Sequence, residues 1–324
     1  MRIVTLEEHI TTPGLERAID AAGRQGAPSE YVRRIQTKLL DLGTGRLADM
    51  DAAGIDLQVL SLAGFDMERL DTATATALAC DANDVMADAI KAHPTRFAAF
   101  AALNLRDPVA AAHELERCIQ KLDFKGALVH GTSGGLFLDD PRFSPFWQAA
   151  EHLDVPVYLH PAPPPEPVQQ AYFSGLDESV AFFLSTAAWG WHAETGLHTL
   201  RLIAAGLFDR HPKLQVIIGH MGENLPFSLA RADYILSRTR PPLPRRVTEY
   251  FREHIVITTS GYFSIPPFQC TLQVAGIDRI LFSVDYPYAS NQEGAEFLRS
   301  LPLDSEDLHK VAHGNAERIL KLAP

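Results

Sequence analysis

The sequence predicts an α/β protein built as a closed (β/α)8 barrel. Eight short apolar, β-branched runs recur along the chain, each nearly continuous rather than alternating. Such runs are strands covered on both faces, as in a parallel sheet. Stretches with helical spacing separate them, and eight strands alternating with helices favour a closed TIM barrel over an open sheet. A doubly wound sheet would usually carry a Gly-rich loop after its first strand, and none follows Leu6.

The runs are Ile3–Leu6, Leu57–Leu62, Arg96–Ala101, Gly126–Val129, Val155–Leu159, Leu214–Gly219, Ile255–Thr259 and Arg279–Ser283. Helices are expected at Ala75–Ala92, ending before His93-Pro94, and at Asp107–Leu122, which opens on an Asp-Pro start signal. Glu194–Phe208 and Asp304–Leu322 read the same way. Residues 13–47 form a helical insertion after strand one that could serve as part of a lid, within one domain spanning residues 1–324. The Pro-rich stretches His160–Pro167 and Arg240–Pro244 read as a rigid loop and a surface turn.

The chain has 324 residues, 46% hydrophobic and 21% charged, enough to bury a large core. Its net charge of −11, without a basic cluster, argues against nucleic acid or an anionic membrane surface as partner. Cys80, Cys118 and Cys270 are far apart and form no CxxC pair, so neither a disulfide framework nor a thiolate zinc site is expected. The expected setting is the reducing cytoplasm. No stretch suits a signal peptide or a membrane span.

Four strand ends carry metal-ligand residue types. Strand one runs into Glu7-Glu8-His9, strands five and six end in His160 and His220, and Asp285 follows strand eight. In a parallel barrel these ends meet on one rim, where barrel enzymes place their sites. Glu7 and His9 share a face of an extended segment while Glu8 points away. Singly, each has a plain structural reading: a solvated turn, a core histidine, a turn cap. Together, two carboxylates and two imidazoles suit one divalent ion, with Asp285 either a ligand or an acid/base group beside it. Zinc is compatible, with manganese or magnesium as the alternatives. In Gly219-His220-Met221-Gly222-Glu223, a helical first turn would pair His220 with Glu223, fixing the imidazole for acid/base work or substrate orientation. Arg231 could bind a substrate anion or form a surface ion pair. Trp189, Trp191, His192, Tyr286 and Tyr288 suit either an aromatic substrate or plain packing.

LEEH, YLHP, IIGHMGE, ITTSG and ILFSVDYP, in this order, resemble the metal-dependent decarboxylase branch of the amidohydrolase superfamily, especially the γ-resorcylate (2,6-dihydroxybenzoate) decarboxylases. The likeness runs from residue 6 to about 320, through RFAAFAAL, HTLRLIAAGLFDRHP and GNAERILKL. It implies a barrel with a single divalent ion on Glu7, His9, His160 and Asp285, a catalytic pair at His220 and Glu223, Arg231 near the substrate, and a homodimer or homotetramer. The implied reaction is non-oxidative, possibly reversible decarboxylation of a small hydroxylated aromatic acid, with Asp285 or His220 supplying the proton. The loops at Gly64–Asp66 and His130–Ser133 depart from the resorcylate pattern. Two other readings stand beside this one. A mononuclear metal-dependent hydrolase or hydratase of a lactone or amide would use the same ligands. It is disfavoured because strand one carries Glu-x-His, and the only nearby lysine, Lys125, precedes strand four. A non-enzymatic binding barrel should have lost a ligand.

Overall fold

A computed structural model describes residues 1–23 and 30–323. Nine strands form the ring: β1 Val4–Ile10, β2 Leu57–Leu62, β3 Phe97–Ala99, β4 Ala101–Ala102, β5 Ala127–His130, β6 Val157–His160, β7 Val216–Ile218, β8 Ile255–Thr258 and β9 Ile280–Leu281. All pairs are parallel, in two ladders, β1-β2-β3 and β4 to β9 in sequence order. The expected third strand is thus present in two pieces that meet at Phe100. Its N–H reaches Leu60 O at 2.9 Å, while Ala101 N already reaches Gly126 O at 2.8 Å. The chain is handed from one ladder to the next without leaving the ring, and the architecture is the expected (β/α)8 barrel.

The ring closes between β9 and β1 through side chains as well as backbone. Ser283 Oγ accepts from the N–H groups of Leu6 (3.2 Å) and Glu7 (2.7 Å), and His9 N donates to Tyr286 O at 2.7 Å. Inside the barrel, Val4, Leu6, Val59, Phe100, Leu128, Tyr158, Ile217, Val256 and Leu281 form one buried cluster. This is the filled interior of a barrel rather than a pore. A larger cluster lies between the ring and the helices outside.

Helices follow their sequence signals. Asp107 caps Pro108–Leu122 by accepting from Ala110 N, and Asp71 caps Thr72–Ala92 by accepting from Thr74 N. The expected Glu194–Phe208 helix is Gly190–Ala204 followed by a short turn, Leu207–Arg210. After β1 come helices Pro13–Ala21, Glu30–Leu40 and Thr44–Ala53. Leu15, Ile19, Ile35 and Leu39 of this segment are buried. Residues 24–29 of the expected insertion lie outside the described residues.

Gly126, entering β5, has φ +156, and a Cβ there would lie 2.4 Å from Pro156 O. Gly126→Ala should therefore lower unfolding free energy by about 1–3 kcal/mol, the scale of a strained backbone site. Urea denaturation checks this, and an unchanged midpoint would remove the constraint.

Candidate active site

A bulge decides what β1 presents to the barrel. Thr5 pairs with Gln58 and Glu8 with Leu60, so Leu6 and Glu7 together oppose Val59. Strict alternation from Val4 and Leu6 would turn Glu8 inward. The extra residue shifts the phase, so that Leu6 joins the interior cluster and Glu7 also reaches Tyr158. Glu7 and His9 therefore face the mouth, and Glu8 faces the β9 side of the ring.

Glu7, His9 and His160 are buried, and their ligand atoms lie within 4.8 Å of one another. Glu7 Oε1 is 3.0 Å from His160 Nε2, 3.5 Å from His220 Nε2 and 3.9 Å from His9 Nε2. His9 Nε2 is 3.3 Å from Asp285 Oδ1, and His220 Nε2 is 3.8 Å from Asp285 Oδ2. The other Glu7 oxygen accepts the Tyr158 hydroxyl, which also meets Thr258 Oγ1 at 2.7 Å. Gly219 makes room, since a Cβ there would lie 2.8 Å from Glu7 Oε2 and 3.0 Å from the Tyr158 hydroxyl.

These residues fit a divalent cation. His160 Nδ1 lies 2.8 Å from Pro161 O, an acceptor only, so Nδ1 carries a proton and Nε2 is the nitrogen left for an ion. That nitrogen faces Glu7 Oε1 at 3.0 Å. Glu7 Oε1 and His9 Nε2 are both buried and make no hydrogen bond. Buried acceptors that converge without donors call for a positive charge between them.

The second half of the site is a carboxylate shared by two imidazoles. Glu223 Oε1 is 2.7 Å from His220 Nδ1, and Oε2 is 2.6 Å from His192 Nδ1. The expected helical turn is not what joins His220 to Glu223. Residues 220–224 all have positive φ (49°, 57°, 88°, 53° and 64°), a left-handed turn that still brings residues three apart together. Each non-glycine residue in such a turn costs about 1–2 kcal/mol. A regular right-handed start is therefore ruled out, and the segment is held by its burial and hydrogen bonds.

Electrostatics follow from burial and neighbours. Burial alone would raise the Glu7 pKa, but His220, His160 and His9 hold it well below the usual carboxylate range. Glu223 is likewise lowered, against burial, by His220 and His192. For His220, burial opposes the charged form, yet the Glu7 and Glu223 carboxylates raise its pKa well above the usual value. His9 and His130 are pushed down by burial, His130 strongly, with His160 adding to both shifts. Burial pushes Glu8 up to about 7, against the N–H groups of Val284 and Tyr286 and the Arg46 charge.

Arg231 is not brought into this cluster. It is exposed on helix Leu225–Leu236, 5.9 Å from the centre of the Tyr234 ring. Two residues that the sequence did not assign to the ion or to the acid/base pair do join it. His192 holds Glu223, and His130 ends β5 in register with His160, the two rings 4.9 Å apart. The strand-end signal that selected His160 applies equally to His130. Tyr288 reaches the rim, its ring 5.6 Å from that of His9.

The family model described as amidohydrolase matches residues 39–322. The γ-resorcylate decarboxylase of Rhizobium sp. (strain MTP-10005) is 40% identical, the alignment covering 98% of each chain. The crystal structure of a 2,6-dihydroxybenzoate decarboxylase complexed with 2,6-dihydroxybenzoate superposes with a TM-score of 0.90 at 40% identity, over 99% of this chain and 100% of that one. A dihydroxybenzoic acid decarboxylase from Polaromonas sp. JS666, with bound manganese and 2-nitroresorcinol, gives 0.90 at 36% identity over 99% and 97% of the two chains.

Gly219→Ala should press on Glu7 and weaken retention of a divalent ion about 10–100-fold while the fold persists. Chelator competition with circular dichroism reads both. Wild-type retention would mean that Glu7 is not shaped by this glycine.

Proposed function

The chain belongs to the amidohydrolase family, and from that premise we infer that it is a metal-dependent, non-oxidative decarboxylase of a hydroxylated aromatic carboxylic acid. One observation carries the reading: Glu7, His9, His160 and Asp285, from two strands and the loop after a third, converge on a point where buried acceptors call for a cation. We propose 2,6-dihydroxybenzoate or a near relative as substrate, in line with the proteins it resembles over its whole length.

Glu7, His9, His160 and Asp285 would hold the ion, which when bound supplies positive charge for the substrate carboxylate and an ortho phenolic oxygen. The two imidazoles favour zinc, while the two carboxylates also accept manganese, the ion bound in the Polaromonas relative. Magnesium is the poorer match to nitrogen ligands. Asp285 is partly exposed towards the mouth and would deliver a proton to the ring carbon that bears the carboxylate. His220, held charged by its carboxylate neighbours, would resupply that proton through Nε2, which faces Asp285 Oδ2 at 3.8 Å. Glu223 fixes the His220 ring through Nδ1, and His192 steadies Glu223 from the other side. Protonation interrupts the ring's aromaticity. The bond to the carboxylate carbon then breaks, its electron pair returns to the ring, and carbon dioxide leaves. Fixed charges at the mouth stabilise the intermediate state. Against the hydrolytic alternative, β5 ends in His130, where a lysine bridging two ions would stand.

We also propose a homodimer or homotetramer. Phe182, Phe183, Phe227 and Tyr234 are exposed, Phe227 by 90%, and Arg231 shares a helix with the last two. Bulky apolar residues this exposed are suited to cover by another copy. The three cysteines are free thiols, in keeping with a cytoplasmic setting. Among the described residues, no helix is long and apolar enough to cross a membrane.

Purified protein loaded with zinc or manganese should consume 2,6-dihydroxybenzoate and release resorcinol, followed by chromatography. Turnover of lactones or amides with no aromatic acid consumed would overturn the reading. Asp285→Asn should lower turnover about 10²–10⁴-fold without changing the circular dichroism, and retained activity would take Asp285 out of the mechanism. Light scattering at working concentration should report two or four chains; a monomer would remove the assembly proposal.

A further inference from the structure

Beside Glu7 and His9 lies a second buried carboxylate, turned away from the ion-holding cluster. Glu8 is 0% exposed. Its Oε1 accepts from Ser283 Oγ and from Val284 N, both at 3.1 Å. Its Oε2 accepts from Tyr286 N at 3.2 Å and faces Gln58 Nε2 at 3.4 Å. Val284 and Tyr286 are the two neighbours of Asp285. One rigid carboxylate therefore grips the peptide N–H on each side of the residue whose own carboxylate faces His9. Among the described residues no ladder performs this task, because β9 ends at Leu281 and pairs there only with β8. Asp285 also has φ +72°, which a residue with a Cβ holds only under constraint.

Glu8 is itself anchored. Gln58 accepts from Arg46 Nη1 at 3.2 Å, and Arg46, 0% exposed, donates through Nη2 to the carbonyl of His9 at 2.6 Å. The same guanidinium lies 4.7 Å from the centre of the Tyr286 ring. The His9 carbonyl, the Glu8 carboxylate and the segment around Asp285 are thus tied into one buried assembly.

We propose that Glu8 is a positioning residue: its two oxygens fix the backbone on both sides of Asp285 and so set the Asp285 carboxylate against His9, with Arg46 and Gln58 holding Glu8 in turn. The inference rests on the reading that Glu7, His9, His160 and Asp285 hold a divalent ion. A carboxylate that merely filled the core would affect stability without altering the geometry around that ion.

The test is Glu8→Gln, loaded with cobalt(II), whose visible absorption reports ligand arrangement. The amide keeps the shape but sets an NH2 group against the N–H of Val284 or Tyr286, so one of the two grips fails. The expected result is a shifted cobalt spectrum and an affinity, by chelator competition, lowered about 10–100-fold, as for other groups that orient a metal ligand. A folded variant with the wild-type spectrum and an affinity within about twofold of wild type would overturn the proposal. Should that variant fail to fold, Gln58→Ala decides. It leaves Glu8 in place and removes the Gln58 contact, its link to Arg46 and the bond at 3.5 Å to Asn291 Oδ1, so a smaller spectral shift in the same direction is expected, and none would be as damaging. Wild-type protein that takes up no cobalt would instead overturn the ion-holding reading, and this inference with it.

Discussion

The mouth of this barrel is organised by one burden, a carboxylate sunk where water cannot reach it. Glu7 is fully buried, and an isolated charge in such a place is strongly disfavoured unless partners compensate. Tyr158 donates to one oxygen, while the other is left facing three imidazole nitrogens. From this follow the missing side chain at Gly219, the bulge that aims Glu7 inward, and the pull towards a cation. The same negative charge, with Glu223, raises the pKa of His220 against the effect of burial. The three imidazoles and the second carboxylate are thus arranged around one electrostatic demand.

The backbone meets this demand with unusual conformations. The run 220–224 and Asp285 all lie at positive φ. These residues are mostly buried and hydrogen-bonded, with Thr271 donating to Met221 O at 3.1 Å and Gly222 N donating to Gly219 O at 2.7 Å. Strain of this kind gathers where side chains must be aimed rather than merely packed. A right-handed turn would have started the following helix more cheaply, but with His220 and Glu223 aimed differently.

Much of this was legible in the residues. Eight apolar runs marked the ring, and ligand-type residues at strand ends marked its working rim. The handover at Phe100 was not legible, because an uninterrupted apolar run carries no sign of where hydrogen bonding changes partner. Alternation put Glu7 and His9 on one face but could not say which; the bulge settles that, and a bulge without glycine leaves little trace in sequence. His220 with Glu223 was read from spacing alone, and the spacing served although the turn has the opposite hand. His192 was noticed for its aromatic neighbours and not for Glu223, since nothing local links residues 31 positions apart. Arg231 was chosen for its place on a helix and for the family likeness, and neither shows how far a side chain is exposed on the folded surface. His130 obeyed the rule that found His160 and was passed over as a loop residue.

The ring is joined by groups from opposite ends of the chain. Glu8 meets Val284 and Tyr286 across 276 and 278 positions, and His9 meets Asp285 over the same gap. Contacts so remote in sequence close very long loops, the kind of contact that slows folding. Glu7 and His9 are thus made at the start of synthesis and Asp285 near its end, so the seam between β1 and β9 can close only when nearly the whole chain is present.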